Sequence, residues 1–150
     1  DYMSALAILV YALMVVIRRI LGPQASLHAV YGIIALASVL FVYQIYRMVV
    51  GLVSYDSHMQ VCISLAIAHC ILWILWIVFT SSCSSKGRLL CLLCNIWFIC
   101  ASLLELFDFE PLLYHFDAHS LWHAATIPLG FLWYMFWIAD IEHCTKRYKK

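Results

Sequence analysis

The sequence has 150 residues, of which 66% are apolar and only 11% charged, and its mean hydropathy is +0.95. A water-soluble domain of this length needs a polar surface that these residues cannot build, so the medium around the chain is lipid. A formal net charge of +1, with the few basic residues set at the ends of apolar runs, excludes nucleic acid as a partner.

Crossing a hydrocarbon layer about 30 Å thick takes about 17 to 25 helical residues. In chain order, apolar runs of that kind occupy residues 2–17, 27–46, 59–80, 89–107 and 119–138, followed by a basic tail over 139–150. The first run is short and no leader precedes Asp1, so the sequence is expected to be the later part of a longer chain. Between the runs lie Gly22-Pro23, Ser54 to Ser57, Ser81 to Gly87 and Phe109-Glu110-Pro111, all turn-forming stretches. The runs are too long and too continuously apolar for barrel strands, which alternate over about ten residues. The predicted fold is all-α, a polytopic transmembrane helical bundle. Most of the seven cysteines fall inside the apolar runs, where thiols act as small hydrophobes, and Cys91-Leu92-Leu93-Cys94 lacks the polar setting of a redox or zinc motif.

Successive spans alternate in direction, so the ends of the first, third and fifth share one face of the membrane. Of the nine Lys and Arg residues only Arg47 falls toward the other face, and the positive-inside rule makes the basic face cytosolic. All the acidic residues except Asp140 and Glu142 then fall on the opposite, luminal side, together with His58, His115, His119 and His123. Ionisable groups at a membrane boundary are costly and mark candidate sites.

The sharpest motif is Asp117-Ala118-His119-Ser120-Leu121-Trp122-His123, at the luminal entry of the fifth span. Two histidines four residues apart share a helix face, with Cβ atoms about 5 to 6 Å apart, a separation from which two imidazoles can hold one zinc ion. Ser120 follows the first histidine, so the glutamate base of helical zinc proteases is absent, and a catalytic site needs at least a third ligand. The same spacing also suits two interfacial histidines behind an Asp117 helix cap. His58 and His115 are placed in connectors, where a solvated role outweighs ligation; His28 and His143 lie on the cytosolic side and His69 in mid-span. Asp1, at the luminal end of the first run, is either an ordinary helix-end carboxylate or a group that orients an attacking water. Glu105 and Asp108 are read as polar supports, with Glu105 tying the fourth helix to the fifth, since an unpaired carboxylate inside the boundary costs several kcal/mol.

Three stretches carry a resemblance: Asp1-Tyr2 opening the first span, the run Leu103-Leu104-Glu105-Leu106-Phe107-Asp108-Phe109-Glu110-Pro111-Leu112, and Asp117 to Pro128. They resemble the family of post-GPI-attachment-to-proteins factor three, the GPI-specific phospholipase A2-like proteins. That family is similar to a wider group of seven-span proteins that includes alkaline ceramidases and progestin and adiponectin receptors. The resemblance implies a zinc site of three histidines, an aspartate and a serine. His119 and His123 match its paired zinc ligands and Asp1 its aspartate, while the serine and the remaining histidine are expected upstream. This stretch alone is therefore expected to be inactive.

The implied activity is removal of the unsaturated sn-2 acyl chain from GPI-anchored proteins by zinc-dependent ester hydrolysis, in the Golgi or endoplasmic reticulum. The implied partners are GPI-anchored proteins and membrane lipids. A lipid-binding receptor, a ceramidase-like amidase and a non-catalytic membrane chaperone are the competing readings.

Overall fold

The structure, a computed structural model, describes residues 2–22, 24–80, 83–107, 109–112 and 115–148. Five helices follow one another: α1 (Tyr2–Leu21), α2 (Leu27–Val49), α3 (Tyr55–Phe79), α4 (Ser85–Phe107) and α5 (Ala118–Tyr148). All five are long and apolar enough to cross a membrane, and among the described residues the extended pairing is confined to an isolated bridge between Leu112 and Phe116. The chain is an all-α, multi-pass membrane protein, as its apolar runs predict.

Each helix after the first begins behind a side-chain cap, which explains why the connectors hold the residues they do. Ser26 Oγ accepts from Ala29 N at 3.2 Å, Ser54 Oγ from Ser57 N at 3.3 Å, Ser84 Oγ from Gly87 N at 3.0 Å, and Asp117 Oδ1 from Ser120 N at 2.7 Å. In every case an amide three residues into the helix, which has no partner within the helix, is satisfied. α1 and α2 end at Gly22 and Gly51, whose φ of 71° and 72° is the left-handed conformation that closes a helix and that glycine adopts without strain.

The helices outrun the apolar stretches. α3 starts at Tyr55 and α4 at Ser85, inside segments that the sequence assigns to connectors. α5 continues to Tyr148 through most of the expected tail. A hydrocarbon layer sets where side chains must be apolar, but backbone hydrogen bonding decides where a helix stops. The extension also has a packed face, since Ala139 and Asp140 are buried. The early start of α3 corrects the placement of His58. It lies within α3 and is 2% exposed, with Nε2 3.5 Å from Cys62 Sγ one turn on, because the Ser54 cap draws residues 55–58 into the helix.

The chain divides into two compact units, Asp1–Trp76 and Ile77–Lys150. In the first, Leu6 and Val16 of α1 are buried, as are Trp73 and Trp76 of α3, whose rings meet edge to face at 5.3 Å. The Arg19 guanidinium lies 4.8 Å over the Trp76 ring, and His69 bonds the Ala12 backbone, so polar contacts join α3 to α1.

The second unit is a hairpin of α4 and α5. The buried face of α4 is made of Gly87, Leu90, Cys91, Cys94, Asn95 and Ala101. Apart from leucine these are small or compact side chains at helical spacing. Since lipid is as apolar as a leucine side chain, helices in a bilayer associate by close van der Waals packing, and small residues permit the close approach. This gives Cys91 and Cys94, both fully buried, a place in the packing seam. Farther along α4 the Trp97 indole donates from Nε1 to the Ala125 carbonyl of α5 at 2.8 Å. That carbonyl lies one turn before Pro128, whose ring cannot supply an amide donor to the helix, so the tryptophan serves backbone groups beside the interruption.

Candidate metal centre

The first turn of α5 carries the site, and Asp117 fixes where that turn begins. Its carboxylate accepts from the Ser120 amide, and the Ser120 hydroxyl donates to the Asp117 carbonyl at 3.0 Å. The Ser120 side chain and then its backbone N–H hold the exposed Asp117 carboxyl below the usual carboxylate range. A depressed folded-state value means that this contribution to stability is complete above the ordinary carboxylate range and is lost as pH falls through the folded value. Asp117→Ala is expected to lower the thermal midpoint of the protein in detergent, and Asp117→Asn to preserve it, because asparagine caps as well as aspartate. Circular dichroism melts across the acid range check this: the gap between wild type and Asp117→Ala should narrow at low pH, while that between wild type and Asp117→Asn stays small.

From that fixed start, the helical repeat brings His119 and His123 onto one face. Their Nε2 atoms are 3.1 Å apart and their rings meet at 88° with centroids 4.6 Å apart. The other nitrogen of His119, Nδ1, lies 2.8 Å from Oε2 of Glu105 on α4, and the carboxylate is 20% exposed against 44% for the imidazole. A carboxylate only accepts, so the Nδ1 proton points to Glu105 and the Nε2 lone pair of His119 points outward toward His123. Trp122 closes one side, its ring 5.5 Å from His119 and 4.5 Å from His123.

This donor set fits a metal ion as far as it goes. Two nitrogens bound to one tetrahedral zinc, each at 2.0 to 2.1 Å, lie about 3.3 to 3.4 Å apart. The observed 3.1 Å needs only a small opening. A histidine whose second nitrogen donates to a carboxylate is the usual support of a zinc ligand, fixing the tautomer and the ring plane. Among the described residues no group of three or more His, Cys, Asp or Glu side chains is assembled to hold a metal. His115 is exposed, its backbone N–H on the Leu112 carbonyl, and His58 is buried in the other unit. Asp1 and Asp108 lie outside the described residues.

Two participants escape a reading of the sequence. Trp122 and Trp97 are not among the candidates read from the sequence; the structure sets Trp122 against both imidazoles and hydrogen-bonds Trp97 across the hairpin. The spacing of Trp122, between the histidines, is the one signal that could have marked it.

Fold and site together define a polytopic helical membrane protein with a carboxylate-supported histidine pair at the start of its last helix. The Per1-like family matches over residues 1–141, and the chain belongs to that family. It is 33% identical over 89% of its length to the post-GPI attachment to proteins factor 3 of Drosophila melanogaster. It is 31% identical over 91% to a GPI-specific phospholipase A2-like PGAP3 of Xenopus laevis, and 28% identical over 95% to the Danio rerio protein of that name. The chain spans 40%, 42% and 45% of the length of these three relatives, respectively. No solved structure matches it.

Proposed function

We propose that this chain is the part of a GPI-anchor-remodelling hydrolase that holds two ligands of a catalytic zinc, and that the whole protein removes the unsaturated sn-2 acyl chain from GPI-anchored proteins. The observation that carries the reading is the Glu105–His119–His123 array, with both Nε2 atoms converging and Nδ1 of His119 on a carboxylate. The names of the relatives, GPI-specific phospholipase A2-like PGAP3 and post-GPI attachment to proteins factor 3, supply the substrate class.

A zinc ion, when bound, contributes Lewis acidity toward an ester carbonyl and toward water. The chain's own residues do the rest. His119 and His123 hold the ion through Nε2, Glu105 keeps His119 in the ligating tautomer, and Trp122 limits the motion of both rings. Asp1 accepts the proton of the attacking water, a role given by its match to the family's aspartate. The remaining histidine and the serine belong to residues upstream. The ester of a glycerolipid sits between headgroup and acyl chain, and the two histidines are one helical turn, about 6 Å, apart along α5 just inside its start, which suits that depth.

In this reading the site faces the lumen of the Golgi or endoplasmic reticulum and the α5 terminus faces the cytosol, following the distribution of Lys and Arg. Cells deprived of the protein should retain unsaturated sn-2 chains on their GPI anchors, read by mass spectrometry of the released lipids. Re-expression should remove those chains. Anchors of unchanged composition would refute the activity. The receptor, amidase and chaperone readings predict no change in these lipids.

A further inference from the structure

We infer that Trp97 is a positioning residue for the histidine pair: its indole clamps the segment of α5 that carries His119 and His123 to α4, beside the gap that Pro128 leaves in the helix. Proline has no amide, so the Ala124 carbonyl four residues back has no helical donor, and the ring crowds that carbonyl as well. The turn between His123 and Pro128 is therefore the weak point of α5, and the segment over 118–127, with both histidines, joins the rest of the helix through it. Side chains brace the carbonyls on either side of Ala124. Thr126 Oγ1 donates to the His123 carbonyl at 2.7 Å, and Trp97 Nε1 donates to the Ala125 carbonyl at 2.8 Å.

Thr126 belongs to that segment and moves with it, whereas Trp97 belongs to α4. Trp97 stands in the middle of α4, away from the interfacial ends where tryptophan serves as an anchor. At that depth no water competes for the indole proton or for the carbonyl, so the bond holds. Trp97, Ala101 and Glu105 recur every four residues and form one stripe of α4. Ala101 is buried between the other two, and its small side chain lets α5 approach closely. The stripe thus holds the segment at two points, Glu105 on His119 and Trp97 on Ala125. A single tie leaves the segment free to turn about it. The second fixes its rotation and depth, and with them the direction in which the two imidazoles face. The inference rests on the zinc reading for what the pair holds, while the clamp itself does not require it.

The test compares the whole protein in lipid nanodiscs as wild type, Trp97→Phe, Pro128→Ala and the double variant. Two quantities are read: zinc affinity in competition with a chelator, and amide hydrogen exchange over residues 119–127. Trp97→Phe keeps an aromatic ring and removes the donor, so zinc affinity should fall roughly fivefold, the contribution of one backbone hydrogen bond, and exchange should rise. Pro128→Ala gives α5 its missing amide, so in that background Trp97→Phe should change neither quantity. An equal loss in both backgrounds would make Trp97 a packing residue between helices and would overturn the inference, as would no effect of Trp97→Phe on the wild type. Should the wild type bind no zinc, the metal reading fails by itself, and the same comparison of exchange rates alone decides the clamp.

Discussion

His123→Ala is expected to abolish lipid remodelling and retention of zinc together, while leaving the helical content of the protein intact. The side chain is exposed on α5, alanine is the best helix former, and no core contact is removed, so folding has little reason to change. The chemistry has every reason to change, because the ring nitrogen that lies 3.1 Å from His119 Nε2 disappears and one nitrogen remains. Losing the several kcal/mol of transition-state stabilisation that a metal supplies predicts a fall of at least about 100-fold. Elemental analysis of the purified protein and mass spectrometry of GPI lipids in rescued cells measure the two effects. Should the variant process anchors at the wild-type rate, the pair is structural and the zinc mechanism is wrong.

Glu105→Gln separates a support of the metal from a strut between helices. The amide oxygen of glutamine can still accept from Nδ1 of His119, so the α4 to α5 tie survives, but the negative charge that makes the imidazole a better donor is gone. Loss of such a carboxylate behind a ligating histidine costs about 10- to 100-fold in metal affinity. Competition with a zinc chelator at fixed pH reads that directly. An unchanged zinc affinity in Glu105→Gln, with thermal stability lost only in Glu105→Ala, would leave Glu105 as a tie between the helices and nothing more.

A large share of this protein is written in its sequence, for a simple reason. Lipid requires long uninterrupted apolar segments with every backbone group bonded internally, so composition and run length alone determine five helices and exclude strands. The positions of the serines and of Asp117 are also local information, since a cap acts on an amide three residues away. The facing of His119 and His123 follows from the helical repeat, which needs no tertiary contact.

The tertiary structure decided the rest, wherever the outcome depends on residues distant in the chain. Glu105 and His119 are 14 positions apart, and only the closing of the α4–α5 hairpin turns a carboxylate near a membrane boundary into the partner of a particular ring nitrogen, and so fixes which nitrogen of His119 faces His123. The Trp97 bond to Ala125 has the same origin across 28 positions. Helix ends also moved, drawing His58 into α3 and carrying α5 to Tyr148, because hydropathy marks what lipid can tolerate whereas capping and packing decide where a helix stops.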